Sequence, residues 1–143
     1  MEIYQISVFL ENQTGKLYEL TDILSKNGID LRAMNIAETS DYGILRVITN
    51  ETEKAISVLA DHGFIATKTP VVAVGVRDEP GGLTSLLRIL SEENFDVEDM
   101  YSIFGQPNGM AYMILRVDDV TAVREMLKKH NVHVAESADL GIK

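Results

Sequence analysis

The first half of this chain is repeated in its second half. Glu11-Asn12-Gln13-Thr14-Gly15-Lys16-Leu17 is answered by Arg77-Asp78-Glu79-Pro80-Gly81-Gly82-Leu83, an offset of 66 residues that also carries Leu20 to Leu86, Leu24 to Leu90 and Asp30 to Asp96. Ile44-Leu45-Arg46-Val47 then returns unchanged as Ile114-Leu115-Arg116-Val117 at an offset of 70, so the second copy has gained four residues in the turn around Gly105-Gln106-Pro107-Asn108. His62-Gly63 pairs with His130-Asn131 at an offset of 68. Insertions confined to turns are what a repeated structural unit tolerates. Whatever one copy folds into, the other must fold into as well.

Periodicity gives each copy the same order of elements. In the first, Ile6, Val8 and Leu10 alternate as a half-buried strand. Leu17, Leu20 and Leu24 then mark one face of a helix that stops at Asn27-Gly28. Leu31 to Glu38 and Ile44 to Thr49 form a hairpin about Ser40-Asp41-Tyr42-Gly43, a helix spans Glu51 to Asp61, and a closing strand starts at Phe64. The second copy predicts strand Val71 to Val76, helix Leu83 to Glu92, strands Val97 to Ile103 and Met110 to Val117, helix Thr121 to Lys129 and strand Val132 to Ala135. The fold class is therefore α+β: two ferredoxin-like βαββαβ modules in tandem, residues 1–69 and 70–143, each with helices on one face of an antiparallel sheet. No linker separates them, since the run Phe64 to Thr69 leads through Pro70 straight into Val71.

Composition excludes several kinds of chemistry. The net charge is −9 and no basic stripe is present, which works against a nucleic-acid partner. Without cysteine there is no disulfide, zinc–thiolate site or thiol nucleophile. No stretch approaches the about 20 apolar residues of a membrane span, and Met1-Glu2-Ile3-Tyr4 opens without a basic region, so a cytoplasmic location with no membrane association is expected. No Gly-x-Ser-x-Gly, phosphate-binding Gly-Lys loop or His-Glu-x-x-His occurs. No catalytic residue, metal site or cofactor is expected.

The loop after the first strand of each copy carries the functional signal. Gly15 and Gly81 stand where a helix begins, where the first N–H groups lack intrahelical partners and the positive end of the dipole lies, a setting that suits a carboxylate. The same residues also serve a structural reading. Glycine makes the tight turn, Pro80 occupies the first helical turn, and Asn12 or Asp78 is a local capping side chain.

Asn12-Gln13-Thr14-Gly15-Lys16-Leu17 with Asn27-Gly28-Ile29-Asp30-Leu31, and Asp78-Glu79-Pro80-Gly81-Gly82-Leu83 with Asn94-Phe95-Asp96-Val97, resemble the opening of an ACT domain, the small-molecule-sensing module of amino-acid metabolism. The resemblance covers essentially the whole chain as two copies. It implies modules that pair side by side, usually through their second strands, and hold a free amino acid in the seam. Carried over, it places the ligand carboxylate on the amides of Gly15, Lys16 and Leu17 with the Asn12 side chain, and its ammonium on Asp96. The reciprocal site uses Gly81, Gly82 and Leu83 with Asp30. It further implies a non-catalytic regulatory protein, expected as a homodimer, with an amino acid as ligand and an enzyme of amino-acid metabolism as a possible partner. Two alternatives remain: a regulatory small subunit acting by protein contact alone, and a small phosphate-ester or anhydride hydrolase using Asn12 and Arg46.

The copies differ where it matters. Thr14 replaces the family's usual Pro, and Asp78 replaces Asn12, putting a negative charge beside amides expected to receive a carboxylate. Arg46 and Arg116 read as outward strand residues beside carboxylates. His62 and His130 read as cations at helix C-termini. His130 with His133 lacks a third ligand for a metal. Met34, Met100 and Tyr101 read as core.

Overall fold

The computed structural model describes residues 2–11, 13–38, 42–105 and 109–143. In chain order the elements are β1 (Ile3–Glu11), α1 (Lys16–Lys26), β2 (Leu31–Glu38), β3 (Tyr42–Thr49), α2 (Thr52–Asp61), β4 (Ala66–Arg77), α3 (Gly82–Glu92), β5 (Asp99–Ser102), β6 (Met110–Arg116), α4 (Val120–Lys129) and β7 (His133–Val134), followed by a 3-10 turn at Ser137–Leu140. Each half thus has the predicted βαββαβ order, with the closing strand of the first copy and the opening strand of the second fused into the single 12-residue β4. The two turns predicted at Ser40-Asp41-Tyr42-Gly43 and Gly105-Gln106-Pro107-Asn108 lie partly outside the described residues.

Two compact units form. The first is Tyr4–Thr69 with Leu140–Lys143, and the second is Pro70–Asp139 with the N-terminal residues through Ile3. In the first unit β3 pairs antiparallel with β1, Val8 opposite Leu45, and with β2, Met34 opposite Val47. The alternating Ile6, Val8 and Leu10 meet Leu20 and Leu24 of α1 and Ala55 and Leu59 of α2 in one core. In the second unit β6 pairs with β4, Val74 opposite Met113, and with β5, Met100 opposite Leu115, while β7 adds to the other side of β4. Val72, Val74 and Val76 bury against Leu86 and Leu90 of α3 and Val123 and Leu127 of α4. Met34 and Met100 pack against these cores and Tyr101 is buried. Among the described residues β2 pairs with β3 alone and β5 with β6 alone, so each second strand keeps an open edge.

Among the described residues α1, α2, α3 and α4 end in the same way. After α1, Gly28 N–H donates to the Ser25 carbonyl and Ile29 N–H to that of Leu24, both at 3.0 Å. Gly63 and Phe64 do this after α2, Asn94 and Phe95 after α3, and Asn131 and Val132 after α4, with Leu59, Leu90 and Leu127 as the distal acceptors. These are Schellman motifs, in which a left-handed residue turns the chain and an apolar residue folds back on a leucine one turn earlier. Gly28 (φ 71°) and Gly63 (φ 83°) take that conformation without a Cβ, and their counterparts Asn94 (φ 59°) and Asn131 (φ 58°) belong to a residue type that tolerates it.

The C-terminal residues pack onto the first unit. Leu140 is 1% exposed, its carbonyl accepts from Arg32 Nε at 3.0 Å, and Lys143 N–H donates to the Asn50 carbonyl at 2.8 Å. The β2–β3 register shifts between Leu31, opposite Thr49, and Ala33, opposite Ile48, so Arg32 is the extra residue of a β-bulge. The bulge re-aims Arg32 toward this strap. Periodicity alone had no means of predicting the strap, because its contacts join residues some ninety positions or more apart in the chain, as in Lys143 to Asn50.

Candidate functional site

The start of α3 is built by backbone turns. Asp78 N–H donates to the Gly109 carbonyl (2.9 Å), Glu79 N–H to that of Arg77 (2.9 Å) and Gly82 N–H to that of Glu79 (3.1 Å). Gly81 stands at the N-cap with φ +88° and no side chain caps the helix, so Asp78 does not act as the local cap that the structural reading of the sequence allowed. By contrast α4 is closed by Asp119, which accepts from Ala122 N–H at 3.0 Å. An uncapped helix start keeps donors and positive potential directed outward.

The two adjacent glycines answer different constraints. A Cβ on Gly81 would meet nothing, so only its positive φ selects glycine. A Cβ on Gly82 would run into the Arg77 carbonyl oxygen. Gly15 repeats the first case, with φ +89° and open space around it, and α1 likewise has no side-chain cap. Lys16 stands where the second copy has Gly82, and its ammonium lies 3.4 Å from Glu19.

A cavity of about 660 Å³ opens beside the start of α3. Gly81, Gly82, Ser85, Leu86 and Ile89 line it from α3 and its start, and Gly75, Met110, Asn131 and His133 are among its other lining residues. Arg77 and Glu79 stand at its mouth, 3.8 Å apart and well solvated. Of the residues expected at this site, Gly81 and Gly82 line the cavity, whereas Leu83 packs on the core of the second unit. Sequence reasoning missed Gly75, Met110 and His133, which strand pairing gathers: Gly75 is opposite both Tyr112 and His133, and Arg77 is opposite Met110.

Asp30 and Asp96, repeat equivalents, have different surroundings. Asp30 pairs with Arg32 Nη1 at 3.1 Å, its N–H donates to Asn50 Oδ1 (2.9 Å), and its carbonyl accepts from Asn50 N–H (3.0 Å). Asp96 is exposed and makes no ion pair among the described residues. Asn12 lies outside the described residues, so its expected place beside Gly15, Lys16 and Leu17, and any convergence with Arg46, has no described geometry. Arg116 pairs with Glu98 at 2.9 Å. His62 Nδ1 donates to the Val58 carbonyl at 2.9 Å, and His130 lies 3.3 Å from Glu93. Among the described residues no group of three or more His, Asp or Glu could hold a metal, and no helix is long and apolar enough to cross a membrane.

No protein of curated function matches the sequence. A crystal structure of a protein from Bacteroides thetaiotaomicron is 38% identical, covering 99% of this chain and 96% of its own, with a TM-score of 0.91. The regulatory subunits of aspartate kinase from Thermus thermophilus (14% identity, 90% and 93% coverage, TM-score 0.63) and Thermus flavus (12%, 90% and 92%, TM-score 0.60) share the fold. A family model described as an ACT domain pair matches residues 1–142. With the duplicated βαββαβ units and their glycine-started helices, that match establishes that the chain belongs to the ACT domain pair family.

Proposed function

We propose that this protein is a non-catalytic regulatory protein that binds a free amino acid. The observation that carries the reading is the cavity at the start of α3, where no side chain caps the helix and the positive end of its dipole meets the space lined by Gly81 and Gly82. The equivalent start of α1 at Gly15, Lys16 and Leu17 offers the same backbone geometry. Asp96 and Asp30 are the repeat-equivalent carboxylates proposed for the ammonium, Asp30 already being paired with Arg32. The open edges of β2 and β5 suit pairing with a second chain, which supports a homodimer.

Isothermal calorimetry with the full chain tests this. Binding of at least one L-amino acid is expected, and N-acetylation or amidation of that ligand should weaken it because each removes one charged end. On the pairing that the resemblance implies, a ligand held at Gly81 and Gly82 loses its ammonium partner in Asp30→Ala, which should cost on the order of 1.5–3 kcal/mol for a lost charged hydrogen bond, whereas a larger loss in Asp96→Ala would assign the ligand to the start of α1. Absence of binding for all twenty amino acids up to millimolar concentration would instead favour a subunit acting by contact alone. The exposed stacked pair Phe9 and Tyr42, ring centroids 4.9 Å apart, supports that second reading.

A further inference from the structure

The C-terminal turn of α1 contains Asn27-Gly28. In this dipeptide the asparagine side chain is open to attack by the next backbone nitrogen, because glycine has no side chain to hinder the approach or restrict the chain. The Gly28 nitrogen closes on Cγ of Asn27, the Cγ–Nδ2 bond breaks, and ammonia leaves with the proton that Gly28 N–H gives up. Water then opens the cyclic imide at either carbonyl, yielding aspartate or isoaspartate, in which the main chain runs through the former side chain. Asn108-Gly109 is the same dipeptide, but Asn108 lies outside the described residues. At the ends of α2, α3 and α4 the counterparts of Asn27 are His62, Glu93 and His130, none of which carries a carboxamide.

In the folded chain both reacting groups are engaged elsewhere. Gly28 N–H donates to the Ser25 carbonyl at 3.0 Å, and Asn27 Nδ2 donates to the Ile23 carbonyl at 2.8 Å, back along the helix. Asn27 holds ψ at 12°, and the ring cannot close until the chain rotates about its Cα–C bond. That rotation is resisted from beyond the turn as well. Ile29 is 4% exposed and its N–H donates to the Leu24 carbonyl at 3.0 Å, while Asp30 is tied to Asn50 through its own N–H (2.9 Å) and carbonyl (3.0 Å). Asn27 and Gly28 are themselves exposed, so water reaches them. The pair is protected by conformation and not by burial.

We propose that Asn27 is a deamidation site gated by the Schellman turn of α1, so that isoaspartate at this position records each opening of the helix end. The step runs one way. An aspartate in place of Asn27 cannot donate to the Ile23 carbonyl and adds negative charge at the negative end of the helix dipole. Isoaspartate also lengthens the main chain by a methylene inside the turn, so each product closes less well than asparagine did. The test is peptide mapping of the full chain held at mildly alkaline pH, with isoaspartate at position 27 followed over time in buffer and in denaturing urea. Conversion in buffer should be at least about a hundredfold slower than in urea, a ratio set by the population of the opened turn. Asn50→Ala removes the Asp30 anchor and Ile29→Val thins the apolar fold-back, and both leave the dipeptide unchanged. Each should speed conversion in buffer about three- to tenfold, but not in urea, with faster exchange of the Gly28 amide hydrogen alongside. Ile29→Val serves alone if Asn50→Ala does not fold. Comparable rates in buffer and urea, or a rate in buffer that neither variant changes, would overturn the gate.

Discussion

Gly81 and Gly82 look interchangeable in sequence, yet one is selected by a torsion angle and the other by a neighbour. Gly82→Ala sets a methyl against the Arg77 carbonyl, a backbone atom that cannot step aside, and is expected to cost about 1–3 kcal/mol as an overpacked site. Gly81→Asn places a residue tolerant of positive φ into open space and should cost less. Urea denaturation of the two variants checks the order, and equal losses would contradict it. Gly15 falls with Gly81. A bulky residue there strains the backbone whether or not a ligand approaches, so lost binding in Gly15→Val would not by itself locate a ligand. The sequence exposed the glycines through their repeat equivalence but not the reason for each, which depends on φ and on the path of the preceding strand.

At the scale of elements, the helix ends were more legible than the sheet edges. Leu24, Leu59, Leu90 and Leu127 are each followed four residues later by Gly or Asn and then by an apolar residue, a local pattern that specifies the Schellman turn wherever it occurs. Gly63→Val should lose about 1–2 kcal/mol through the left-handed penalty, whereas Asn131→Gly should leave the melting temperature unchanged or higher. A fall in melting temperature for Asn131→Gly would show that the asparagine side chain has its own role. Apolar character predicts β5 from Val97, whereas its ladder begins two residues later, at Asp99 opposite Arg116. The pairing of β7 with β4, which brings His133 to Gly75, depends on a contact across 58 positions in the chain that no window of sequence displays.

For the whole molecule, the duplication predicted two modules, but each compact unit also takes in a piece of the far end of the chain. Leu140 is the buried anchor of one such exchange, and Leu140→Ala should destabilise the first unit by about 2–5 kcal/mol, read as faster hydrogen exchange at the amides of Asp30 and Asn50. The exchange also sets an order on biosynthesis. A ribosome adding about 5–20 residues per second finishes Thr69 about 4–15 s before it delivers Lys143, so the module made first waits for its last hydrogen bonds until the module made second is complete. Throughout that interval the bulge at Arg32 and the backbone of Asn50 lack the strap that covers them in the finished chain. A nascent chain halted after Thr69 is expected to be cut by protease at the uncovered bulge around Arg32.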